Sequence, residues 1–212
     1  MKSIADLRKE YSLESLREED VARDPIEQFD KWWNEALASK IDEVNAMTLA
    51  TATTEGYPSA RIVLLKGYNA QGFVFFTNYL SKKGTELGKN PHAALLFFWK
   101  EMERQVRIEG TVEKIAENES DDYFFSRPVA SRIGAWASPQ STPIAERSVI
   151  EENVEKYTAQ FGSENIPRPP HWGGYIVKPV SMEFWQGRSS RLHDRILFTQ
   201  VKNEWKIERL AP

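Results

Sequence analysis

Residues 46–78, AMTLATATTEGYPSARIVLLKGYNAQGFVFFTN, give the clearest indication of the fold class of this chain. The segment contains three runs rich in apolar and β-branched residues, which is the composition of strands. Turn signals separate the runs at Thr54-Glu55-Gly56 and at Asn69-Ala70-Gln71-Gly72. Connections this short join antiparallel neighbours, because parallel strands need a crossover of a dozen or more residues. The segment therefore predicts antiparallel strands at 46–53, 57–68 and 73–78.

The same strand composition recurs further along the chain. Apolar runs at 92–99 and 104–115 flank Lys100 to Glu103 and predict a second hairpin. The C-terminal segment predicts four more strands, at 173–179, 181–187, 191–199 and 203–210. Strands do not alternate one for one with helices, and no G-x-G-x-x-G motif follows a strand, which disfavours a Rossmann domain. We expect an α+β fold built on an antiparallel β-barrel with flanking helices.

Helices are predicted before and between these strands. The first begins at Pro25, with Asp24 as N-cap and Glu27 in the capping-box position. Its apolar residues recur at helical spacing: Ile26, Phe29, Trp33, Ala36 and Leu37. Further helices are predicted at 81–89, 119–125, 129–137 and 143–161, the last capped by Thr142. Residues 1–24 carry twelve charged side chains and predict an arm before a single domain of residues 25–212.

Composition excludes several classes of protein. The 212 residues include 41% hydrophobic residues, which is enough for a core and excludes a wholly disordered chain. The absence of cysteine excludes disulfides and thiolate chemistry, and three scattered histidines disfavour a metal site. A net charge of −3 disfavours a nucleic-acid partner. The longest apolar run, Ala93 to Trp99, is too short to cross a bilayer, and the charged N-terminus lacks a signal peptide, so we expect a cytoplasmic protein without membrane partners.

The most informative polar segment is FWQGRSSRLHDR, residues 184–195. If RLHDR is extended, side chains alternate between faces, so Arg191, His193 and Arg195 share one face. Three cationic or titratable groups on one face are compatible with two environments. They can face water, as charges that protect an edge strand from aggregation, or they can face an anionic planar ligand. The neighbouring Trp185 is either a stacking surface for such a ligand or a core residue. Periodicity alone leaves both interpretations open.

Two basic groups lie around the second and third predicted strands. In strand alternation Arg61 and Lys66 face opposite ways, so they can serve two different pockets. Ser81-Lys82-Lys83 begins a predicted helix, where free backbone N–H groups and the helix dipole favour an anion. The alternative is a solvated pair of surface lysines.

A third group follows in the helical region. Tyr123, Arg127 and Ser131 are spaced i, i+4 and i+8, and they offer two hydroxyls and a guanidinium to a phosphate. The alternative is a helix boundary at Pro128 with a solvated arginine. Gln105 alternates with apolar neighbours and can point into a cavity. Together these groups supply enough ligands for two phosphorylated molecules, one of them a planar cofactor.

Several motifs of the chain resemble those of a known family. RIVLLK, FTN followed by SKK, ERQVRIEG, SRPVASRIGAWAS, WGGYIV, EFWQGRSSRLHDR and WKIERLAP are similar to the pyridoxamine 5'-phosphate oxidase family, in order, from about residue 5 to the last residue. The resemblance implies an FMN-binding split β-barrel that forms a homodimer with both flavin sites at the subunit interface. It also implies oxidation of pyridoxamine 5'-phosphate or pyridoxine 5'-phosphate to pyridoxal 5'-phosphate, with oxygen as the electron acceptor and hydrogen peroxide as a product.

The resemblance also implies which residues form the site. FMN contacts are expected at Arg61, Ile62, Val63, Leu64, Lys66, Phe76, Thr77, Lys82, Lys83, Gln105, Gln140, Ser141, Trp185 and Arg195. Substrate contacts are expected at Lys66, Tyr123, Arg127, Ser131, Arg191, Leu192 and His193. Of these, Arg191 and His193 are the expected catalytic residues beside the substrate ring, and no metal is expected.

Some positions depart from the family's pattern or leave a question open. Lys82 stands where the family often has Arg, and Phe76 replaces a common Tyr. Glu43 occupies a position where relatives can carry Asp near the active site. Arg8 and Tyr11 resemble a segment that folds over bound substrate. The alternatives to the oxidase are a split-barrel flavin reductase that uses a nicotinamide donor and a non-catalytic carrier of FMN or pyridoxal 5'-phosphate.

Overall fold

A computed structural model of the chain describes residues 3–4, 10–202 and 204–212. The helices are α1 (Pro25–Ala38), α2 (Lys82–Lys89), α3 (Glu117–Ser126), α4 (Val129–Ala137) and α5 (Ser148–Phe161). The strands are β1 (Ala46–Ala52), β2 (Pro58–Leu64), β3 (Gly67–Asn69), β4 (Gly72–Asn78), β5 (His92–Trp99), β6 (Arg104–Lys114), β7 (Trp172–Gln186), β8 (Asp194–Val201) and β9 (Glu204–Arg209). In the described ranges, no helix is both long and apolar enough to span a bilayer.

The strands form one antiparallel sheet that curls into an open half-barrel. The order is β2-β1-β5-β6-β7-β4-β3, and β8 pairs with both β7 and β9. The hairpin of β5 and β6 forms as predicted, with Phe97 opposite Val106. The prediction of an α+β antiparallel split barrel with flanking helices is therefore confirmed.

Strand β7 is the longest strand of the sheet, and its length differs from the prediction. The sequence predicts two strands, 173–179 and 181–187, separated near Pro179, because proline cannot donate to a ladder. The structure has one strand of 15 residues, Trp172–Gln186. A register shift between Glu109 and Gly110 on β6 absorbs the irregularity opposite this proline. Because β7 stays continuous, it pairs with β4 through its first half and with β8 through its second half.

Helix α1 packs against the inner face of the sheet. Asp24 caps it as predicted, and its Oδ1 accepts hydrogen bonds from the backbone N–H of Ile26 at 2.7 Å and of Glu27 at 3.3 Å. The buried face contains Phe29 and Trp32. Leu37, which the sequence placed in the apolar repeat, is 49% exposed, whereas its neighbour Ala36 is fully buried, so Leu37 lies off the face of the helix that packs on the sheet.

Helices α3, α4 and α5 form a second, smaller core beside the sheet. Phe124, Ile133, Ile166 and Trp172 are its buried residues. Helix α5 begins at Ser148 rather than at residue 143, so the predicted cap at Thr142 is wrong. The backbone N–H of Thr142 instead donates to the carbonyl of Pro139, which closes a turn before the helix.

Candidate active site

A cavity of about 330 Å³ opens between the ends of β2 and β4 and helix α3, and we call it the β2–β4 cavity. The residues that line it include ten of the predicted flavin and substrate residues: Ile62, Val63, Leu64, Lys66, Phe76, Thr77, Lys83, Tyr123, Arg127 and Gln140. Two residues that sequence reasoning missed, Asn78 and Trp172, complete the lining. The structure therefore brings together side chains that are up to 110 residues apart in the sequence.

Lys83 is the cation at the floor of this cavity. Its side chain is only 8% exposed, and its Nζ lies 3.2 Å from Thr77 Oγ1 and 3.5 Å from Ser81 Oγ. Ser81 is the N-cap of α2 and fixes the start of the helix by accepting from the backbone N–H of Gly84. Burial, and then the nearby charge of Arg61, lower the pKa of Lys83. Within the described ranges no carboxylate forms an ion pair with Lys83, so its charge is available to an anionic ligand.

A smaller cavity of about 250 Å³ adjoins the first and shares Asn78, Arg127, Gln140 and Trp172 with it. Ser131 lines this second cavity. Arg127 therefore sits between the two, where α3 ends and α4 restarts after Pro128.

Arg127 is held by aromatic packing rather than by a carboxylate. Its guanidinium lies 4.6 Å from the centre of the Trp172 ring, and its buried Nη1 has no hydrogen-bond partner among the described residues. Burial lowers the pKa of Arg127, although Tyr123 opposes the shift. Tyr123 stacks on Phe76 with ring centres 3.9 Å apart. An orphaned buried donor at a cavity wall is available to an acceptor from outside the chain, either water or a ligand.

Arg61 and Lys82 lie beside the β2–β4 cavity and do not line it. The guanidinium of Arg61 donates to Thr51 Oγ1 and to Ser59 Oγ, each at 2.5 Å. Lys82 is 64% exposed, and its Nζ lies 3.9 Å from Glu86 Oε1. Ser141, beside Gln140, is exposed with a φ of 68°. Glu43 lies in the turn before β1, also with a positive φ.

A second cluster lies on β6, β7 and β8. Trp185 is the register partner of Gln105 on one side and of Arg195 on the other. The His193 ring lies 4.6 Å from the Trp185 ring. Arg195 Nε donates to Glu183 Oε1 at 2.7 Å, a bond that raises the pKa of Arg195. Glu183 is 2% exposed and was not singled out from the sequence, although its position two residues before Trp185 places it on the same strand face.

The predicted strand at 191–199 is shorter in the structure, which has a turn in place of its first residues. Ser189–Arg191 forms a short 3-10 turn, Ser190 and Arg191 have positive φ, and β8 begins only at Asp194. The pleat that would place Arg191, His193 and Arg195 on one strand face is therefore absent. Asp194 fixes the beginning of β8 instead, because its carboxylate accepts from Arg209 and from the N-terminal arm.

His193 has a defined tautomer in this turn. The backbone N–H of Arg188 donates to His193 Nδ1 at 3.1 Å. A neutral ring whose Nδ1 accepts carries its proton on Nε2. Burial, and then the charge of Arg191, lower the pKa of His193, which favours the neutral ring. His193 is therefore set up to donate from Nε2.

The described part of the N-terminal arm crosses this second cluster. The ring of Tyr11 lies 5.8 Å from the ring of Trp185 and 6.1 Å from that of His193. A side chain at Gly187 would collide with Tyr11, so the glycine permits this close approach. The backbone N–H of Ser12 donates to Glu103 at 2.8 Å. Arg8 lies outside the described residues, and the division of the chain at residue 24 stays a prediction.

The two clusters lie at opposite ends of β7. Trp172 borders the first and Trp185 belongs to the second, and 13 steps of about 3.3 Å give roughly 40 Å along the strand. One copy of the chain therefore keeps the cavity cations apart from Trp185, His193 and Arg195. The predicted site residues form two groups rather than one.

Comparison with known proteins agrees with this architecture. Residues 33–161 match the family described as pyridoxamine 5'-phosphate oxidase, and residues 172–212 match the pyridoxine 5'-phosphate oxidase C-terminal dimerisation region. Pyridoxine/pyridoxamine 5'-phosphate oxidase from Cupriavidus necator is 58% identical over 213 residues, which is 100% of each chain. The protein of the same name from Trichormus variabilis is 56% identical and covers 100% of this chain and 99% of its own.

Solved structures show the same fold. PhzG from Burkholderia lata, in complex with tetrahydrophenazine-1-carboxylic acid, has a TM-score of 0.88 and 32% identity, and covers 95% of this chain and 100% of its own. A pyridoxamine 5'-phosphate oxidase-related, FMN-binding protein from Nostoc punctiforme has a TM-score of 0.71 at 18% identity, and covers 89% of this chain and 98% of its own. With the full-length relatives and the matched regions, these likenesses lead to one conclusion: the chain is an oxidoreductase that belongs to the pyridoxamine 5'-phosphate oxidase family.

Proposed function

We propose that this protein is an FMN-dependent oxidase that converts pyridoxamine 5'-phosphate and pyridoxine 5'-phosphate to pyridoxal 5'-phosphate, with oxygen as the electron acceptor. The observation that carries the proposal is the pair of adjoining cavities with two cations, the buried Lys83 and the half-buried Arg127, that no described carboxylate neutralises. Two such cations suit two phosphate groups. A flavin reductase with a nicotinamide donor would not need the second phosphate subsite.

The residues of the β2–β4 cavity fit the phosphate end of FMN. Lys83 is a buried ammonium with no carboxylate partner among the described residues, and it lies at the N-terminus of α2, where the helix dipole favours an anion. The exposed edge of β2 at Ile62 to Leu64 offers backbone groups to the isoalloxazine. When bound, FMN supplies the acceptor for the hydride that leaves the substrate. The remaining proposed contacts are Gln105, Trp185 and Arg195 of the second cluster and Arg61, Lys82, Gln140 and Ser141 around the cavity.

The adjoining cavity fits the substrate phosphate. Arg127 and Ser131 line it together, and Tyr123 and Lys66 line the neighbouring wall. Arg127 presents a buried Nη1 that has no partner among the described residues, and charge-assisted hydrogen bonds to phosphate would satisfy it. The aromatic surface of Trp172 holds the guanidinium plane in place before the ligand arrives.

A second copy of the chain would complete the site. The two clusters are roughly 40 Å apart along β7, so Trp185, His193 and Arg195 would come from the partner of the chain whose cavity holds the phosphates. Exposed apolar side chains on the sheet, Ile62 on β2 and Phe98 on β5, provide surface for such a contact. The match of residues 172–212 to a dimerisation region supports a homodimer.

Arg191 and His193 would then act on the substrate ring. The Nε2–H of His193 orients the amine or the alcohol oxygen of the substrate, because Nδ1 is already occupied by the backbone N–H of Arg188. Arg191 precedes His193 in the same turn and supplies a charge that holds the phosphorylated ring in register. Tyr11 covers Trp185 and His193 and would exclude water from them.

The test is to purify the protein, record its flavin spectrum and measure oxygen uptake and peroxide release. We expect a bound flavin and turnover with both phosphorylated B6 compounds. Pyridoxamine without the phosphate is the matched control and should be a poor substrate. Rapid reduction by NADPH without turnover of either B6 phosphate would favour the reductase, and bound flavin with no reaction would favour a carrier.

A further inference from the structure

Glu86 is a buried carboxylate that the proposed chemistry does not use. Its side chain is 5% exposed, and it lies on the face of α2 that packs against β1 and β2. Its Oε2 accepts hydrogen bonds from Thr51 Oγ1 at 2.5 Å and from Ser59 Oγ at 2.6 Å. The same oxygen lies 3.5 Å from Arg61 Nη2. A buried charge at this position requires an explanation, because burial of an ion is costly unless it is paired.

The hydrogen bonds around Glu86 have a defined direction. Burial alone would raise the pKa of Glu86, but the Ser59 and Thr51 hydroxyls and the charges of Arg61 and Lys82 hold it below the ordinary value, so the group is ionised. An ionised carboxylate only accepts hydrogen bonds, so both hydroxyls must point their protons towards it.

The lone pairs of the two hydroxyls then face Arg61. Thr51 Oγ1 and Ser59 Oγ each accept from an Arg61 terminal nitrogen at 2.5 Å. The chain of contacts therefore runs from Glu86 through two hydroxyls to the guanidinium. It sets where the Arg61 charge stands, against β1 and close enough to Lys83 to lower that residue's pKa.

We propose that Glu86 is a positioning residue for the flavin phosphate subsite, which it serves by holding Arg61 through the hydroxyls of Thr51 and Ser59. The inference rests on the proposed function, because it assumes that the anion beside Arg61 and Lys83 is the phosphate of FMN. Without Glu86 the hydroxyls are free to rotate, and the long Arg61 side chain loses its charged anchor and must be ordered by the ligand at an entropic cost.

Direct electrostatics predicts the opposite effect. A carboxylate near a phosphate repels it, so removal of the Glu86 charge without any change at Arg61 would strengthen FMN binding. The two mechanisms are therefore distinguished by the sign of the change.

The experiment compares FMN with riboflavin, which lacks the phosphate, by fluorescence titration of the flavin-free protein. For Glu86→Gln we expect FMN affinity to fall about tenfold while riboflavin affinity stays within about twofold. Ser59→Ala removes one of the two hydroxyls between Glu86 and Arg61 without a change of charge. For this variant we expect FMN affinity to fall about threefold and riboflavin affinity to stay unchanged. Glu113→Gln, in an exposed ion pair with Lys178, is the matched control and should leave both affinities unchanged.

A double-mutant cycle tests whether Glu86 works through Arg61. In an Arg61→Gln background, Glu86→Gln should no longer reduce FMN affinity, because the residue that it positions is gone. Persistence of the full loss in that background would overturn the inference. So would equal weakening of FMN and riboflavin, or unchanged or tighter FMN binding in Glu86→Gln.

The outcome also separates the inference from the proposed function. If the wild-type protein does not prefer FMN to riboflavin, the proposed function fails, and the inference fails with it. If the wild-type protein prefers FMN and Glu86→Gln retains the full preference, only the inference fails. Should Glu86→Gln be unstable to the removal of flavin, Ser59→Ala gives the same decision.

Discussion

The two clusters at the ends of β7 differ in whether their cations are paired with carboxylates. In the β2–β4 cavity, Lys83 is buried beside hydroxyls and Arg127 is half-buried against an aromatic ring, and no described carboxylate pairs with them. In the second cluster, Arg195 is tied to the buried Glu183, and Asp194 is tied to Arg209. This contrast separates binding groups from scaffold: an unpaired buried cation is costly until a ligand neutralises it, whereas removal of one partner of a buried pair is destabilising.

Loss of the carboxylate of the second cluster should produce the largest change in stability. Glu183→Gln replaces the buried charged acceptor that Arg195 and Arg107 share by a neutral amide, and both arginines keep other partners, so we expect the free energy of unfolding to fall by about 2 kcal/mol. Urea denaturation measures the change. Glu113→Gln, which breaks an exposed pair, should cost less than about 0.5 kcal/mol. Equal effects of the two variants would contradict the description of the second cluster as a paired scaffold.

Loss of the cation between the two cavities should act on the substrate and leave the scaffold intact. Arg127→Ala removes a charge-assisted phosphate contact worth about 1.5–3 kcal/mol, so the KM for pyridoxamine 5'-phosphate should rise by about 10- to 150-fold while flavin is retained. Steady-state kinetics measures the KM, and the flavin absorbance of the purified protein measures flavin retention. Arg147→Ala, at an exposed position before α5, is the control. Loss of flavin instead of substrate affinity would show that the division into two phosphate subsites is wrong.

Loss of the cavity-floor cation should separate stability from binding. Lys83→Met removes an unpaired buried charge, so the flavin-free protein should become more stable by about 1 kcal/mol. FMN affinity should fall about tenfold, with little change for riboflavin. Thermal unfolding of the flavin-free protein tests the change in stability, and flavin titration tests the change in FMN affinity. A less stable Lys83→Met protein would mean that the cation is part of the scaffold after all.

The smallest expected effect concerns pH. The folded pKa of His193 lies below its unfolded value, so the unfolded chain binds more protons in that range. The contribution of His193 to stability is therefore present above the ordinary histidine pKa and is lost as the pH falls from there through the lowered folded pKa. His193→Gln should lose less stability than the wild type on acidification from neutral pH, as measured by urea midpoints. Parallel pH profiles for the two proteins would exclude a depressed pKa.

Sequence reasoning succeeded where structure is local. The Asp24 cap, the hairpin of β5 and β6 and the short helix that begins after Ser81 all follow from neighbouring residues. It failed where distant contacts overrode local pattern. The bulge on β6 keeps β7 continuous past Pro179, and contacts of Asp194 with the arm and with Arg209 fix the beginning of β8.

The candidate site shows the same division. Spacing alone left the basic groups open to a surface interpretation, and only the family resemblance placed them in one site. Ten of the predicted site residues, three of them basic, do line a single cavity. Glu86 and Glu183 escaped notice, because their importance lies in partners that the chain order does not bring near: Ser59 and Arg61 for Glu86, and Arg107 for Glu183.

The amino-acid sequence was enough to predict the antiparallel strand arrangement, the starts of α1 and α2 and the set of basic side chains, because periodicity, caps and turns depend on residues within a few positions of each other. Only the tertiary structure decided which cations stay unpaired. Pairing depends on carboxylates that the curled sheet and helix α2 carry into contact from elsewhere in the chain. The tertiary structure also separated the site residues into two groups, because one long strand holds the groups at its opposite ends.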